Sequence, residues 1–530
     1  MNIFIAVLLS FIMTDVFAET FHVTRVDDPG INTPCSEFSC SLRQAVIAAN
    51  NNPGADEIVL LPIEHKLRVN GAEDLAVTGD LDITDDLKVT GEFVSNVPLT
   101  ISSVVADVDF EDRIFDVHPG VRFTMKNVFV HGGKTKSSNG GGFRVIDAAL
   151  NLENVYVANN NAQHGSGIYA DNSQLLLNYV KVVANQNINV AGFGGGLYMR
   201  GGQLRIYNSN LSENFSDFGG SIAAVVFADK NSQPAIIIKN TYLGDNGAEK
   251  GGAIYLNGKG DDDLSIPNVW VENSEIRSND AGQGAGIYHQ GSMLTLQAVI
   301  MRRNRASGNT NSIAGGAIYS GDGEGQNNTA ILNIEHSVLF DNRSSNQAAA
   351  IYFDGEELNV LNSTISQNEA DDYAAMYVNV GEVALQHNSI LLNASQNGED
   401  LFLGSEVEAV FQNNIFMARC TITFLTVVKS MGGNIESPGD SCHLDAKTND
   451  LFGSLQRGLL ALELKDNGGL TLTHAIVNPL SKAINHGTII QELPYDQRYF
   501  LRDAEADSGA FEWQSIGKDI LFKDGFEVGL

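Results

Sequence analysis

Aspartates concentrate at one point in the middle of the chain, where Asp261, Asp262 and Asp263 follow the flexible run Gly258-Lys259-Gly260. Carboxylate oxygens on a flexible loop are the ligands that Ca²⁺ prefers in proteins. A run of charge is also the ordinary form of a solvated loop. We therefore expect no cofactor other than calcium, and these three aspartates are its candidate ligands.

Four cysteines are the other residues whose type and spacing could do chemistry. Cys35 and Cys40 lie near the start of the chain, and Cys420 and Cys442 lie near its end. No C-x-x-C spacing is present, which argues against a zinc site. Four cysteines allow three disulfide pairings. We predict Cys35–Cys40 and Cys420–Cys442, because each pair lies within one segment of the chain.

The first residues of the chain predict export. Residues 3–13 are almost wholly apolar, and Val16-Phe17-Ala18 has the small-x-small pattern of a signal-peptidase site. The apolar core is too short to span a membrane, and no later stretch approaches the ~20 apolar residues of a transmembrane helix. We predict a signal peptide over residues 1–18 and an exported protein that is not integral to the membrane. Export also makes disulfides the expected state of the cysteines.

The formal net charge is −31, from 33 basic and 64 acidic residues. Such a surface repels phosphate backbones, and no basic patch overrides it, so nucleic acid is excluded as a partner. The charge itself is the ordinary means of keeping a protein soluble. We expect a monomer whose partners are a polysaccharide or a ligand on a cell surface.

Two motifs recur in a fixed offset from about residue 140. In the first, small residues precede an aliphatic residue and usually a tyrosine, at steps of 25 to 33 residues. In the second motif, a polar residue is followed after two residues by an aliphatic one and, after two more residues, by an asparagine. Repetition at a fixed period predicts a repeat architecture. The first motif ends at Tyr169, Tyr198, Ala223, Tyr255, Tyr288, Tyr319, Tyr352 and Tyr377, and the second at Asn159, Asn185, Asn214, Asn246, Asn279, Asn304, Asn342, Asn368 and Asn393.

Segments between the motifs alternate apolar and polar residues, as in Ala330-Ile331-Leu332-Asn333-Ile334. A period of two indicates strands. A step of about 30 residues suits one coil of three short strands and three turns, whereas propeller blades need ~40 residues or more. We predict an all-β fold, a single right-handed parallel β-helix in which Ile254, Ile287 and Ile318 point inward. Stacked asparagines are expected to form a hydrogen-bonded ladder, and the tyrosines a structural stack.

The N-terminal region differs from the repeats and predicts a cap. Leu42, Ala45, Val46 and Ala49 fall on one face of a helix, Ser41 can cap its start, and the segment 50–54 ends it. Such a helix can cover the open first coil of a solenoid. The run Cys40-Ser41-Leu42-Arg43-Gln44-Ala45 resembles the C-S-L-R-E-A motif of many secreted bacterial β-helix proteins, with Gln44 in place of Glu.

The repeats, with Gly315-Gly316-Ala317-Ile318-Tyr319 and Leu339-Phe340-Asp341-Asn342 as the closest copies, resemble those of polymorphic outer-membrane proteins. The C-terminal region resembles the choice-of-anchor Q module, through segments such as Asp496-Gln497-Arg498 and 507–512. The tail ending near Asp524-Gly525-Phe526-Glu527 is similar to a short ending on exported proteins of some Gram-negative bacteria. These resemblances imply a protein on the outer surface of, or outside, such a bacterium.

Right-handed β-helices include polygalacturonases and pectate lyases, so the fold alone leaves catalysis open. The expected hydrolase run R-I-K and the lyase runs W-x-D-H and R-x-P-x-x-R are missing, and Asp371-Asp372 stands alone. We predict adhesion or recognition without catalysis. The alternative is a polysaccharide lyase or glycoside hydrolase acting on acidic polysaccharide. For the non-catalytic protein we expect no surface groove in which three or more acidic groups converge with a lysine or arginine.

The predicted organisation is a signal peptide over 1–18, an N-terminal cap over 19–60, β-helix repeats over 61–445, a choice-of-anchor Q-like module over 446–515 and a tail over 516–530.

Overall fold

The computed structural model describes residues 18–29, 34–71, 73–92, 102–107, 110–188, 191–227, 235–259, 268–308, 315–321, 330–444, 448–453 and 458–513. Residues 1–17 of the predicted signal peptide, the candidate calcium ligands Asp261, Asp262 and Asp263, and the tail over 516–530 lie outside the described residues.

The coils of the chain form two long stacks of parallel strands and, between residues 161 and 395, a third short stack. Together these stacks form a right-handed parallel β-helix, as predicted. The long sheet receives one continuous strand or two shorter ones per coil. Its strands are Thr20–His22, Asp56–Leu60, Leu81–Ile83, Leu87–Gly91, Phe115–Val117, Arg122–Lys126, Phe143–Ile146, Ala149–Glu153, Ile168–Asn178, Leu197–Tyr207, Ile222–Phe227, Ile236–Lys239, Ile254–Lys259, Asn268–Glu272, Ile287–Gln290, Met293–Gln297, Ile318–Gly321, Ile331–Glu335, Ile351–Asp354, Glu357–Leu361, Met376–Gln386, Leu401–Gln412, Cys420–Ile422 and Val427–Ser430.

A second stack, the flank sheet, follows the long sheet in each coil. Its strands are Glu64–Leu67, Ser102–Ala106, Val128–His131, Tyr156–Ala158, Lys181–Val183, Asn210–Ser212, Tyr242–Gly244, Glu275–Arg277, Ile300–Arg302, Val338–Phe340, Thr364–Ser366, Ser389–Leu391, Ile415–Met417, Ile435–Glu436 and Leu451–Phe452. The short sheet closes the coil with Asn161–Ala162 and Gln186–Asn187, and then Gly247–Lys250, Asp280–Gln283, Arg305–Ala306, Arg343–Gln347, Glu369–Asp372 and Ala394–Ser395.

The core is a set of apolar rows that run along the solenoid axis. Ile254, Ile287 and Ile318 are paired in register and at most 1% exposed, so their predicted inward orientation is confirmed. Stacking of equivalent strands removes these side chains from water, which no single coil could do alone.

Small residues precede each inward aliphatic because the backbones of adjacent coils are close there. Gly251 and Gly284 have φ of +69° and +56°, which glycine adopts without strain. A Cβ atom on either one would meet the carbonyl oxygen three residues later in the same turn, at 2.3 or 2.4 Å. A Cβ atom on Gly252 would meet the carbonyl oxygen of Ala285, in the next coil, at 2.4 Å. This crowding explains why the repeat begins with glycine.

The predicted asparagine ladder is present between the flank sheet and the short sheet. Each amide nitrogen donates to the side-chain oxygen of the next asparagine, as from Asn246 to Asn279 at 3.0 Å and from Asn279 to Asn304 at 2.9 Å. The first member is Asn160 and not the predicted Asn159, because Asn159 occupies the left-handed turn position with φ of +53°. The ladder satisfies amides that water does not reach.

The N-terminal cap forms as predicted. In the described residues the single helix is Leu42–Asn51, and Ser41 and Gln44 form a reciprocal capping box at its start. The predicted apolar face, from Leu42 to Ala49, is buried. Two disulfide bonds have the predicted pairing, Cys35–Cys40 and Cys420–Cys442. In the described part of the chain, no helix has the length and apolar character needed to cross a membrane.

The C-terminal segment over residues 458–513 lies along the flank sheet of the last coils. Thr471 donates a hydrogen bond to the carbonyl of His336 at 2.8 Å, and His474 bonds to the Ser366 hydroxyl at 2.9 Å. Further along, Gly509 donates to the carbonyl of Asn413 at 2.7 Å. The segment therefore covers several coils at once.

Candidate functional site

One line of side chains on the outside of the long sheet, here called the outer row, runs through the molecule in strict register. Its members alternate with the inward aliphatics, because successive side chains of a strand point to opposite faces. Equivalent positions pair from strand to strand without a break. The outer row consists of Asp82, Asp116, Arg144, Tyr169, Tyr198, Ala223, Tyr255, Tyr288, Tyr319, Tyr352, Tyr377 and Phe402.

The middle of the outer row is a stack of aromatic rings. Tyr288 and Tyr319 lie 4.5 Å apart with an interplanar angle of 4°, and Tyr319 and Tyr352 lie 5.2 Å apart at 1°. These three rings are only 3 to 7% exposed. The faces that a sugar ring would use are covered by neighbouring tyrosines. The stack is structural, as expected from the sequence.

At its N-terminal end the same row carries charge. Asp82 and Asp116 are neighbours on paired strands, and Asp80 comes just before the first of these strands. Asp80, Asp82 and Asp116 each bring a carboxylate oxygen within 4.8 Å of the other two. We call these three buried residues the acidic cluster.

Two arginines hold the acidic cluster together. Arg113 Nη1 lies 2.7 Å from Asp80 Oδ2 and 3.2 Å from Asp116 Oδ2. Arg144 is paired with Asp116 across the sheet, with its Nε donating to Asp116 Oδ1 at 2.9 Å. Asp82 binds differently, since it accepts from the backbone N–H of Ala76 at 2.8 Å and lies 2.8 Å from His118 Nε2.

Burial divides the acidic cluster into groups of different acidity. Burial raises the pKa of Asp80 to about 7, and the neighbouring carboxylates of Asp112, Asp82 and Asp116 add to the rise, whereas Arg113 opposes it. The hydrogen bond that His118 donates to Asp82 raises the pKa of His118. A buried carboxyl group that changes charge near neutral pH is typical of acid–base catalysis.

Solvent reaches the cluster from one side. The side chains of His118 and Arg144 are 25% and 28% exposed, whereas those of Asp80 and Asp116 are 3% exposed. Asp74 is exposed and brings a carboxylate oxygen within 4.8 Å of ligand atoms of Asp82 and His118. The cluster therefore has a polar rim and a buried floor.

The N-terminal helix holds the backbone that carries Asp80 and Asp82. Arg43 is 1% exposed, pairs with Asp28 at 2.8 Å, and donates to the backbone carbonyls of Ala76, Gly79 and Asp80. From the end of the same helix, the Asn50 amide donates to the carbonyl of Asp82 at 2.8 Å. The helix Leu42–Asn51 thus fixes the loop and strand that present Asp80 and Asp82.

The acidic residues predicted from sequence do not join this cluster. Asp371 accepts from the amide of Gln396 at 2.6 Å, and Asp372 pairs with the amide of Asn397. Both lie in the short sheet, at Glu369–Asp372. They are surface groups tied to the next coil, and no catalytic arrangement forms around them in the described residues.

The residues of the cluster do not fit a resident calcium ion. Calcium takes six to eight oxygen ligands. Here Arg113 occupies the space between Asp80 and Asp116, and the oxygens of Asp82 are engaged by Ala76 and His118. The positive charge that three carboxylates require is supplied by arginine.

Sequence reasoning missed this site, although a signal for it exists. Leu81-Asp82-Ile83 and Phe115-Asp116-Val117 share the pattern apolar, aspartate, apolar. Phe143-Arg144-Val145 continues that pattern with the opposite charge one coil later. None of these coils has the tyrosine of the motif by which the repeats were recognised, although Gly140-Gly141-Gly142 precede Phe143.

Comparison with known proteins adds information on the fold. No model of a protein family matches the chain, and no curated protein matches it. Among solved structures, pectate lyase Pel9A matches at 14% identity over 94% of this chain and 97% of that chain, with a TM-score of 0.27. The catalytic domain of a GH87 α-1,3-glucanase, solved as two variants with tetrasaccharides, matches at 13% identity over 77% of this chain and 69% of that chain, with TM-scores of 0.32 and 0.31. At these values the likeness concerns the fold.

The prediction that the chain is not an enzyme is contradicted. Solved structures that match it include a pectate lyase and the catalytic domains of a glucanase. Asp80, Asp82 and Asp116 also converge with Arg113 and Arg144, in a buried cluster and not in the surface groove that the prediction named. Adhesion without catalysis is not retained.

Proposed function

We propose that this chain is an exported enzyme that hydrolyses glycosidic bonds of a polysaccharide, with the acidic cluster as its reaction centre. The observation that carries the proposal is the convergence of Asp80, Asp82 and Asp116 with Arg113 beside a solvent-accessible rim. Glycoside hydrolases use two carboxyl groups, one protonated and one ionised, on either side of the bond that breaks.

Asp80 supplies the protonated member of the pair. With a pKa of about 7, caused first by burial, it keeps its proton over the pH range in which an ordinary aspartate has lost it. In the proposed step this proton passes to the glycosidic oxygen as the bond to the anomeric carbon breaks. The leaving sugar then departs as a neutral alcohol.

Asp116 supplies the second carboxyl group of the site. Arg113 and Arg144 both donate to it, which fixes its position beside Asp80. Each carboxyl group of the cluster brings an oxygen within 4.8 Å of the others, which is short of the ~6.5–9.5 Å that leaves room for an intervening water between two carboxyl groups. We infer that Asp116 stabilises the positive charge that develops at the anomeric carbon, to which water adds its hydroxyl group while the proton of that water restores Asp80.

The charge of the site favours a neutral sugar chain. Asp80, Asp82, Asp116 and the half-buried Asp112 face two arginines, so the site carries no excess of positive charge for a uronate. Lysis of an acidic polysaccharide needs that carboxylate neutralised and a free base to remove the adjacent proton. Both arginines here are paired with carboxylates. Lysis is therefore the second candidate.

Export is part of the proposal because a polymeric substrate lies outside the cell. It is supported by the apolar N-terminal segment ending at Ala18 and by the two disulfides. The resemblances to secreted β-helix proteins and to the choice-of-anchor Q module belong to the same proposal.

The proposal is tested by incubating the purified chain with neutral glucans and, separately, with pectate and alginate. We expect new reducing ends on a neutral polymer without added calcium. Asp80→Asn keeps the shape of the side chain but removes the acid, and should lower the rate ~100-fold or more. Asp371→Asn, a surface carboxylate of the same solenoid, is the matched control and should retain full activity.

Three outcomes would count against this assignment. If the wild-type protein releases no reducing or unsaturated ends from any of these polymers, the proposed enzymatic activity is wrong. Full activity in Asp80→Asn would show that the acidic cluster is not the reaction centre. Unsaturated ends on pectate or alginate would show that the reaction is lysis and not hydrolysis.

A further inference from the structure

The backbone nitrogen of Glu19, the first residue after the predicted cleavage site, lies against a buried carboxylate. It donates to Asp56 Oδ1 at 2.7 Å. Asp56 is 1% exposed, although it is an acidic residue at the outer end of the solenoid. Position 19 matters because the small-x-small pattern ends at Ala18, so cleavage there turns this nitrogen into the amino terminus.

The Asp56 carboxylate is incompletely satisfied in the uncleaved chain. Its Oδ1 accepts from Glu19 and from the Asn52 amide at 2.9 Å, whereas its Oδ2 is buried without a hydrogen-bond partner. Leaving a buried charged oxygen unpaired is costly. One backbone N–H is a single donor, and an ammonium group has three.

The nearby cations belong to other carboxylates. Lys88 lies 2.8 Å from Glu57, and the nearest acidic partner of Arg122 is Asp86, at 3.9 Å. In the described residues, no side-chain cation pairs with Asp56. These groups and Asp56 line a shallow concavity of about 270 Å³ that also includes Ala18, Glu19 and Thr20.

We propose that Asp56 is the receptor for the mature amino terminus, formed when the bond between Ala18 and Glu19 is hydrolysed. Water adds across that bond: its oxygen goes to the Ala18 carbonyl carbon, which leaves as a carboxylate, and the Glu19 nitrogen becomes an ammonium group. The new ammonium pairs with Asp56 and provides the donor that Oδ2 lacks. This inference rests on export and is independent of the catalytic assignment.

Pairing of the terminus would complete the N-terminal cap. Glu19 precedes the strand Thr20–His22, which pairs with Asp56–Leu60 and covers the edge of the first coil. A strand of three residues at a sheet edge contributes little by itself. A charge-assisted bond at its first residue would hold the edge strand in place only in the processed chain.

The test compares two chains released from a cleavable fusion, one beginning at Glu19 and one at Ala18, each with Asp56 and with Asp56→Asn. The measurement is the reaction rate of the α-amine with an amine-selective reagent, followed by mass spectrometry of the N-terminal peptide. We expect the Glu19 chain to react about tenfold more slowly than the Ala18 chain, because pairing with Asp56 raises the pKa of the α-amine and lowers the share of its reactive neutral form. Asp56→Asn should abolish this difference.

Controls separate this pairing from general effects of the local charges. Glu57→Gln removes a carboxylate of the same concavity and should leave the protection of the Glu19 amine unchanged. Asp56, Glu57, Asp86, Lys88 and Arg122 are the charged groups that face the terminus, so each rate is compared at one pH and ionic strength. A second readout is the unfolding midpoint, which should be higher for the Glu19 chain only when Asp56 is present.

Equal amine reactivity in the Glu19 and Ala18 chains would overturn the pairing. N-terminal sequencing of the exported protein provides an independent check. A mature chain that begins anywhere other than Glu19 would overturn the proposed receptor even if the polysaccharide activity is found.

Discussion

The outer row of the long sheet contrasts two regions built on the same backbone. From Tyr255 to Tyr377 the row is a stack of rings, and at Asp82, Asp116 and Arg144 it is an ion-pair network. Strand pairing is parallel and in register in both. The rings are stabilised by stacking on one another. The charged residues are stabilised by their mutual ion pairs and by the loop that Arg43 holds in place. In this solenoid, the proposed reaction centre lies where the outer row departs from the aromatic repeat.

The largest effect should come from placing a carboxylate on the wrong face of the sheet. Ile318→Asp puts a charge into the inward apolar row, where no arginine faces it, unlike Asp116 in the outer row. We expect a loss of ~5 kcal/mol or more in the free energy of unfolding. Urea denaturation measures this loss. The control is Ile318→Val, which should lower the free energy of unfolding by about 1 kcal/mol. A small effect of the aspartate would mean that the two faces are not distinct.

Tyr288→Ala tests the claim that the aromatic region is structural. Removing a ring stacked at 5.4 and 4.5 Å between two others should cost about 3–5 kcal/mol of unfolding free energy. Activity per folded molecule should not change. Tyr288→Phe keeps the ring but loses the hydrogen bonds that the hydroxyl makes, among them those from Gln290 at 3.0 Å and from Lys250 at 3.5 Å, and should cost about 1 kcal/mol. Loss of activity in a stable Tyr288 variant would extend the reactive region into the stack.

The charged region should respond to pH where the aromatic region does not. The Asp80 pKa lies at about 7, above its ordinary 3.8, so the fold favours the protonated form. Its contribution to stability is therefore fully present below pH ~3.8 and is lost as the pH rises through ~7. Hydrolysis that needs this proton should fall about tenfold per pH unit above 7. The rate and the unfolding midpoint are measured between pH 5 and 9.

In Asp80→Asn both dependences should flatten across this range. If the wild-type rate does not change with pH through pH 7, the proton donor is a group other than Asp80. Tyr288→Phe should keep the wild-type profile, since its ring lies far along the row from the acidic cluster.

The smallest effect is expected at the boundary between the two regions. Tyr169 is paired with Arg144 on one side and with Tyr198 on the other. Tyr169→Phe keeps the ring and removes the hydroxyl, which should change the free energy of unfolding by less than about 1 kcal/mol. The rate should change less than twofold. A larger change in rate with unchanged stability would place Tyr169 within the reactive region.

Much of the fold could be predicted from the sequence, because each repeated residue has a local reason. Small residues precede the inward aliphatics, and glycine serves at the tight turn, as at Gly251, and where the next coil approaches closely, as at Gly252. Asn246, Asn279 and Asn304 recur because each bonds to its equivalent in the next coil. The capping helix follows from Ser41 and its apolar face.

The candidate site could not be predicted in the same way. Asp82, Asp116 and Arg144 are 34 and 28 residues apart, in coils without the recognisable motif. Their proximity depends on register, which only the strand pairing defines. The shift of the Asp80 pKa depends on burial under the loop that Arg43 holds. Neither property is visible in residue type or spacing.

The docking of the C-terminal segment has a mechanical consequence. A solenoid that loses contacts only between neighbours can unwind one coil at a time from its end. Here Thr471 is bonded to His336, 135 residues earlier, and Ala510 to Ser389, 121 residues earlier. A pull on the C-terminus must first peel this segment from the flank sheet before any of those coils can unwind. The last coils should therefore yield to force together, as one unit, while the coils before them yield in series.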